Sequence, residues 1–415
     1  MPARHRPLRM LASRWAPRLG VSLFVVASLG GCAAEPPGYE GPYRRQVRAA
    51  IPKLEEASGL AFQRLPVLQD RSRDEVRGFL EAEMQAQLTP LQLAGTAAAY
   101  RLFGLLPDTL DLRAFYLDLL TEQVAGYYDP ATKVLYVVEG AAAELRDVTI
   151  THELMHALQD QHVRLDSIKT LQGDNDRMVA MQAVVEGQAT YEQLQVMTGG
   201  DIESRLPGGW GALRETIRSS QEEMPQFAAA PMFLQETLLF PYLSGAEFVR
   251  RFSAARAGRS VLVPFAESTE QILHPEKFLD SLPDRPTRVR LGAPRAGTVV
   301  HEDNLGEFET RLFLFAQLGD EAEAVRGAAG WDGDRYQVVS VDGAQVLGWL
   351  TVWDDAAEAE EFATRLRKIT APAGRRWLVE VTTHAGRPVV LVEQRPAARS
   401  GPMLLDLTRA TFDAP

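Results

Sequence analysis

The sequence predicts an α+β protein: a mainly helical core with one edge hairpin, followed by a small C-terminal α+β domain. Helical periodicity dominates residues 46–123 and returns at 145–163 and 176–197. At 124–138 the pattern changes to strand, turn, strand, with Asp129-Pro130 in the turn. Helical and strand patterns alternate after residue 298. We therefore divide the body into a core at 47–282, a Pro- and Arg-rich linker at 283–298 and a C-terminal domain at 299–415.

The first 31 residues predict an export signal. Five Arg and no acidic residue precede an apolar run at 19–29, which is too short to span a bilayer. Gly30-Gly31-Cys32 closes the segment, and Cys32 is the only cysteine in the chain. This arrangement resembles a bacterial lipobox, in which Cys32 carries the lipid. We expect an exported protein anchored to the cell membrane or outer membrane through a tether at 32–46; a plain secreted protein is the alternative.

The charge of the mature chain excludes two classes of partner. Removing five Arg from the 44 basic residues leaves 39, against 55 acidic residues, so the net charge is −16. Such a chain is repelled by nucleic acid and by anionic membrane surfaces.

The sequence of residues 152–156 predicts a metal site. His152 and His156 are four residues apart in a helical segment, so both imidazoles lie on one face and can bind one zinc ion. Glu153 lies beside that face, where it can act as a general base on water. Asp160, four residues after His156, is a candidate for orienting a ligand histidine.

Glu186 is the predicted third ligand. It lies thirty residues after His156 in a second helical segment, on a face with Val179, Ala183 and Thr190. A carboxylate in such surroundings needs a positive partner, which zinc would supply. The alternative is His162, but on a continuous helix it lies about 9 Å beyond His156 along the axis and on another face.

Together, His152-Glu153-x-x-His156 and Glu186-Gly187-x-Ala189 resemble the gluzincin metallopeptidases, particularly the Peptidase MA-like branch. The resemblance extends over residues 111–280 and implies a zinc peptidase with a polypeptide substrate and a strand that borders the cleft. It also implies a donor that stabilises the oxyanion, for which His274 is the first candidate and Tyr242 the second. Thr190 departs from thermolysin-like members, which carry an Asp there.

Two other classes of function stay open. One is a binding or assembly lipoprotein with a structural zinc site, and the other is a zinc amidase that acts on cell-wall material. The presence of Glu153 with both histidines favours an enzyme, and the sequence contains no recognisable wall-binding repeat. The role of the C-terminal domain is not predicted.

Overall fold

A computed structural model describes residues 38–87, 89–140, 143–166, 171–202, 211, 215–219 and 224–413. Within the chain, Tyr39–Pro415 forms one compact unit of helices and sheets, in agreement with the predicted α+β class. The predicted signal at 1–31 and Cys32 lie outside the described residues. The body begins earlier than predicted, because Tyr39 is buried and the first helix starts at Arg44 rather than after the tether at 32–46.

Four helices form most of the N-terminal part: α1 (Arg44–Ser58), α2 (Arg73–Gln87), α3 (Pro90–Phe103) and α4 (Leu112–Gln123). Thr89 caps α3 in a capping box with Gln92, which explains why that helix begins at Pro90. Strand β1 (Val67–Arg71) interrupts the segment that was predicted to be helical throughout. Its backbone pairs in parallel with a strand 67 residues later, so its partner is not local.

The predicted hairpin is confirmed as β2 (Gly126–Asp129) and β3 (Val134–Val138), which pair in antiparallel fashion. With β1 they form a three-stranded sheet in the order β1-β3-β2, so β2 is an edge strand of this sheet. Leu135 and Val137 pack against Ile150, Leu154 and other apolar residues of the following helix. The hairpin is thereby fixed next to the predicted metal-binding residues.

Two long helices carry those residues: α5 (Ala143–His162) and α6 (Asn175–Thr198). The structure gives the bounds of four further helices before residue 283: α7 (Pro225–Ala228), α8 (Met232–Ala255), α9 (Thr269–Leu273) and α10 (Pro275–Leu279). α5 and α6 run in opposite directions, because His152 contacts Gln193 whereas Gln159 contacts Val185. None of the described helices has both the length and the apolar character needed to cross a membrane.

α6 and α8 approach each other closely through two glycines. A Cβ atom on Gly187 would lie 2.2 Å from the carbonyl carbon of Gly245, and a Cβ on Gly245 would lie 2.0 Å from the carbonyl oxygen of Ala183. No larger residue fits at either position without moving a backbone. This crossing brings the middle of α8, including Tyr242, to the helix that carries Glu186.

The C-terminal part has the predicted alternation of helices and strands. Its elements are β4 (Arg288–Arg290), β5 (Thr298–Asp303), α11 (Gly306–Leu318), α12 (Glu321–Ala328), β6 (Trp331–Val341), β7 (Ala344–Trp353), α13 (Ala356–Leu366), β8 (Arg375–His384), β9 (Arg387–Pro396), a 3-10 turn (Leu407–Arg409) and β10 (Thr411–Asp413). Five of the strands form an antiparallel sheet in the order β5-β6-β7-β9-β8, and β4 pairs with β10.

The core is continuous across the predicted linker. The ring of Phe103, at the end of α3, lies edge-on to Trp349 and Tyr336 of the five-stranded sheet, with centroid distances of 5.2 and 5.4 Å. It also contacts Phe313 of α11 at 5.5 Å. Such aromatic contacts give directional packing in addition to apolar burial. The C-terminal sheet is therefore packed against the helical part.

Candidate metal centre

The three predicted metal ligands converge. His152 Nε2 lies 3.2 Å from Glu186 Oε2, and His156 Nε2 lies 3.3 Å from the same oxygen. One ligand atom from each of the three residues lies within 4.8 Å of the other two. The exposed fractions of the side chains are 15%, 10% and 26%, so the cluster is largely shielded but retains some contact with solvent. Three protein ligands would leave one position of a tetrahedral zinc ion for water or substrate.

The distances fit a small tetrahedral cation. Two zinc bonds of about 2.0–2.1 Å at a tetrahedral angle separate the ligand atoms by about 3.3 Å. The two nitrogen–oxygen separations, 3.2 and 3.3 Å, have this length. The two imidazoles are nearly perpendicular, at an interplanar angle of 87°, and their centroids are 4.8 Å apart.

Gln159 fixes the tautomer of His156. The amide nitrogen of Gln159 lies 3.0 Å from the carbonyl oxygen of Val185, which can only accept, so this nitrogen is the donor. The amide oxygen then faces His156 Nδ1 at 2.9 Å, and Nδ1 must carry the proton. The lone pair of the neutral ring is on Nε2 and points towards the carboxylate of Glu186. A positive charge between Nε2 and the carboxylate, either a metal ion or the second proton of an imidazolium, satisfies both groups, so the donor set fits a metal ion.

Gln193 contacts Nδ1 of His152 as Gln159 contacts Nδ1 of His156. The prediction that Asp160 orients a ligand histidine is wrong. His152 Nδ1 lies 3.2 Å from Gln193 Oε1. The carboxylate of Asp160 instead accepts from the Tyr128 hydroxyl at 2.8 Å and the Lys133 ammonium at 2.6 Å. The helical repeat explains the difference. Asp160 is turned about 80° from His152, towards the hairpin, whereas Gln159 is turned about 20° to the other side, towards α6.

The charges of the cluster perturb its pKa values. Burial lowers the pKa of His156, but the negative charges of Glu186 and Glu153 more than offset this and raise it to about 9. Burial likewise raises the pKa of Glu186, and the two imidazoles more than offset it, holding the pKa well below its usual range. Both shifts favour an anionic carboxylate next to a positive charge.

Glu153 is positioned between the histidine helix and the hairpin. Its Oε2 accepts from the backbone N–H of Tyr128 in β2 at 2.8 Å, and the residue is buried. Gly126 permits this proximity, since a Cβ there would lie 2.7 Å from Thr149 and 2.9 Å from the carbonyl oxygen of Tyr136. The charge of Glu153 acts on both His156 and Tyr242, so its carboxylate belongs to the cluster.

Tyr242, and not His274, is next to the ligand set. The ring of Tyr242 lies 6.1 Å from that of His152. The charge of Glu186 is the largest cause of the strongly raised pKa of Tyr242, with burial, Glu153 and a hydrogen bond to Glu186 adding to it. The residue as a whole is 38% exposed, and the hydrogen bond to Glu186 places its hydroxyl group at the cluster.

His274 lies at the other end of α6. Its Nε2 is 3.1 Å from Glu307 Oε1 and 2.9 Å from the guanidinium of Arg311. Glu307 follows Gly306, which packs on Asp176 in the first turn of α6. Glu186 is ten residues further along, about 15 Å at the rise of an α-helix. The ranking of His274 as first candidate for the oxyanion donor is therefore corrected in favour of Tyr242.

The alternative third ligand, His162, also lies elsewhere. Its Nε2 contacts the carbonyl oxygen of Ala61 at 2.9 Å. The helix continues through Gln159 without a break, as the absence of glycine there predicted, so His162 faces the segment after α1.

Comparison with known proteins bears only on the C-terminal part. A family model described as a domain of unknown function (DUF8575) matches residues 294–398, about a quarter of the chain. The match runs from just before β5 to just after β9 and does not include the candidate metal centre. The comparisons with curated proteins and with solved structures gave no match.

Proposed function

We propose that the protein is a zinc-dependent endopeptidase that is exported and held outside the cytoplasm by a lipid on Cys32. The observation that carries the proposal is the convergence of His152 Nε2, His156 Nε2 and Glu186 Oε2. The finer fold assignment, a gluzincin-like core with the hairpin beside the cleft, is part of the same proposal. His152, His156 and Glu186 would hold the ion, which supplies Lewis acidity towards water and a substrate carbonyl when bound.

Glu153 is the general base in this proposal. Its buried carboxylate takes a proton from the attacking water and passes it to the leaving amine. The N–H of Tyr128 orients the carboxylate through Oε2, which leaves Oε1 available for the proton. The phenol of Tyr242, held in its neutral form by the surrounding negative charge, donates a hydrogen bond to the oxyanion that develops on the carbonyl oxygen.

The test compares the purified protein with its Glu153→Gln variant. Glutamine can still accept from the Tyr128 N–H, so the hairpin contact persists while the base is removed. We expect both proteins to bind about one zinc per chain by metal analysis. Wild type should cleave an unfolded casein-like substrate, and the variant should not.

Two other outcomes would refute the peptidase. Zinc binding without cleavage of peptides by wild type, but with cleavage of cell-wall amides, favours the amidase. Zinc binding with neither activity favours the binding lipoprotein.

Loss of zinc in His162→Ala with retention in Glu186→Ala would refute the assignment of Glu186 as the third ligand. Radiolabelled fatty acid on wild type but not on Cys32→Ser tests the anchor separately.

A further inference from the structure

The helix that carries Glu186 begins without a cap of its own. The first N–H groups of a helix have no partner within it and need acceptors from elsewhere. Asp174 stands at the N-cap position of α6, yet its side chain makes no capping hydrogen bond. Helix α4, by contrast, is capped by its own Asp111, whose side chain accepts from the backbone N–H of Ala114.

The acceptors for α6 come from the C-terminal part of the chain. The N–H of Asn175 donates to Asp303 Oδ1 and that of Asp176 to Asn304 Oδ1, each at 2.9 Å. The amide nitrogen of Asn304 donates to Asp174 Oδ1 at 3.0 Å, which orients the Asn304 oxygen towards α6. The capping residues follow α6 by 128 positions and lie within the segment 294–398 that matches the domain of unknown function.

The five-stranded sheet holds this capping segment. The buried carboxylate of Asp334 in β6 accepts from the backbone N–H groups of Leu305 and Gly306, both at 2.9 Å. It also accepts from the indole N–H groups of Trp331 and Trp349, at 3.2 and 2.9 Å. Both tryptophans are fully buried, so the carboxylate is fixed to the core of the sheet. A continuous set of hydrogen bonds therefore runs from that core to the first turn of α6.

The backbone at Gly306 packs directly against α6. Gly306 has φ +72°, and a Cβ there would lie 1.8 Å from Asp176 Oδ1. Glycine adopts this left-handed conformation without strain, and a side chain at this position would collide with the carboxylate of Asp176. On its other side, Asp176 accepts from the backbone N–H of Thr269 at 2.9 Å. The first turn of α6 is thus held between α9 and the residues that precede α11.

The position of this turn determines the position of the metal ligand. Glu186 is eleven residues after Asn175, and a helix transmits an axial displacement along its length, here about 16 Å, with little change. A metal bond tolerates a displacement of about 0.2 Å. We infer that Asp303 and Asn304 are positioning residues for Glu186, and that the domain spanning 294–398 serves the metal site by fixing the start of α6. The inference rests on the proposed function only in taking Glu186 as a zinc ligand.

The experiment measures zinc affinity and amide exchange in the Asp303→Ala/Asn304→Ala variant of the full protein. Zinc is titrated against a competing chelator, and we expect its affinity to fall about 10-fold, as when groups that orient a ligand are removed. Hydrogen exchange of the zinc-free protein should become faster through the middle of α6, at residues 183–190. The milder variant Asn304→Ala serves if the double variant does not fold.

Asp355→Ala is the matched control. Asp355 caps α13 in the same domain and, like Asp303, accepts from two backbone N–H groups, those of Ala357 and Glu358. We expect its removal to lower thermal stability and leave zinc affinity unchanged. Asp303→Asn keeps the accepting oxygen and should restore wild-type affinity.

The outcomes separate this inference from the proposed function. If wild type binds no zinc, the proposed function fails, and exchange in α6 still decides the inference. Zinc affinity within about two-fold of wild type in the double variant would overturn the inference that Asp303 and Asn304 position Glu186. So would faster exchange confined to residues 175–179, because the loss of the cap would then not reach Glu186.

Discussion

Replacing Gly245 by alanine tests whether the close crossing of α6 and α8 builds the site. The new Cβ would lie 2.0 Å from the carbonyl oxygen of Ala183 and 2.8 Å from its carbonyl carbon. Both are backbone atoms in the middle of a buried helix, so no side chain can turn away. To reach the 3.4 Å at which ordinary contact begins, the helices must separate by about 1.4 Å.

This separation has two measurable consequences. Overpacking typically costs 1–3 kcal/mol, and because backbone meets backbone we expect the free energy of unfolding to fall by about 3 kcal/mol. A displacement of about 1.4 Å also carries the Tyr242 hydroxyl out of hydrogen-bonding range of Glu186 on α6. If Tyr242 stabilises the oxyanion, kcat should fall about 100-fold, with little change in KM.

Urea unfolding measures the first consequence and steady-state cleavage the second. Gly78→Ala is the control, since Gly78 lies within α2 and a Cβ there meets nothing within 4 Å. Alanine is the better helix former, so this variant should be about 0.5–1 kcal/mol more stable than wild type. A Gly245→Ala protein whose unfolding free energy lies within about 0.5 kcal/mol of wild type would refute the packing argument, whatever its activity.

Three further outcomes are expected. Tyr242→Phe should lower kcat about 100-fold with KM and zinc content unchanged, and His274→Ala should leave kcat as in wild type. A loss of kcat in His274→Ala but not in Tyr242→Phe would reinstate His274 as the oxyanion donor. Gln159→Leu should weaken zinc binding about 10- to 100-fold in a chelator competition, because His156 loses its hydrogen-bond acceptor. Gln161→Leu is the control and should bind zinc as wild type does. Equal affinities in the two variants would contradict the role of Gln159 in orienting His156. Burial and the nearby guanidinium of Arg335 lower the pKa of His301 to about 4. Between about pH 6.5 and 4 only the unfolded chain takes up the proton. The free energy of unfolding should therefore fall as the pH drops over this range. His301→Gln should show a smaller fall, and equal falls in the two proteins would contradict the shift.

The parts of the site that depend on one helix were predictable from the sequence. The spacing of His152 and His156 places both rings on one face, whatever the rest of the chain does. Two partners were missed although helical geometry indicates them. Gln193 is seven residues after Glu186, two turns along the same face, and Gln159 is three residues after His156. Amide side chains on the ligand faces were the available signal.

The remaining features depend on packing between distant segments. β1 has a residue pattern too short to identify alone, and it is a strand because its backbone pairs with that of β3. The approach of Tyr242 requires Gly187 and Gly245 to meet, and no local pattern indicates that two particular glycines face each other. The same holds for Asp303, which caps a helix 128 residues earlier.

The burial of α6 explains how the proposed metal site can be formed from such distant residues. Buried positions occur around most of this helix, from Ala180 to Leu194, rather than along one stripe, as in a helix that is enclosed on several sides. Neighbours on several sides leave it little freedom to rotate or slide, so Glu186 is held in place before any ion binds. A site whose ligands are already arranged loses little conformational entropy on binding. The affinity of this centre should therefore depend on the contacts that fix α6 as well as on its three ligands.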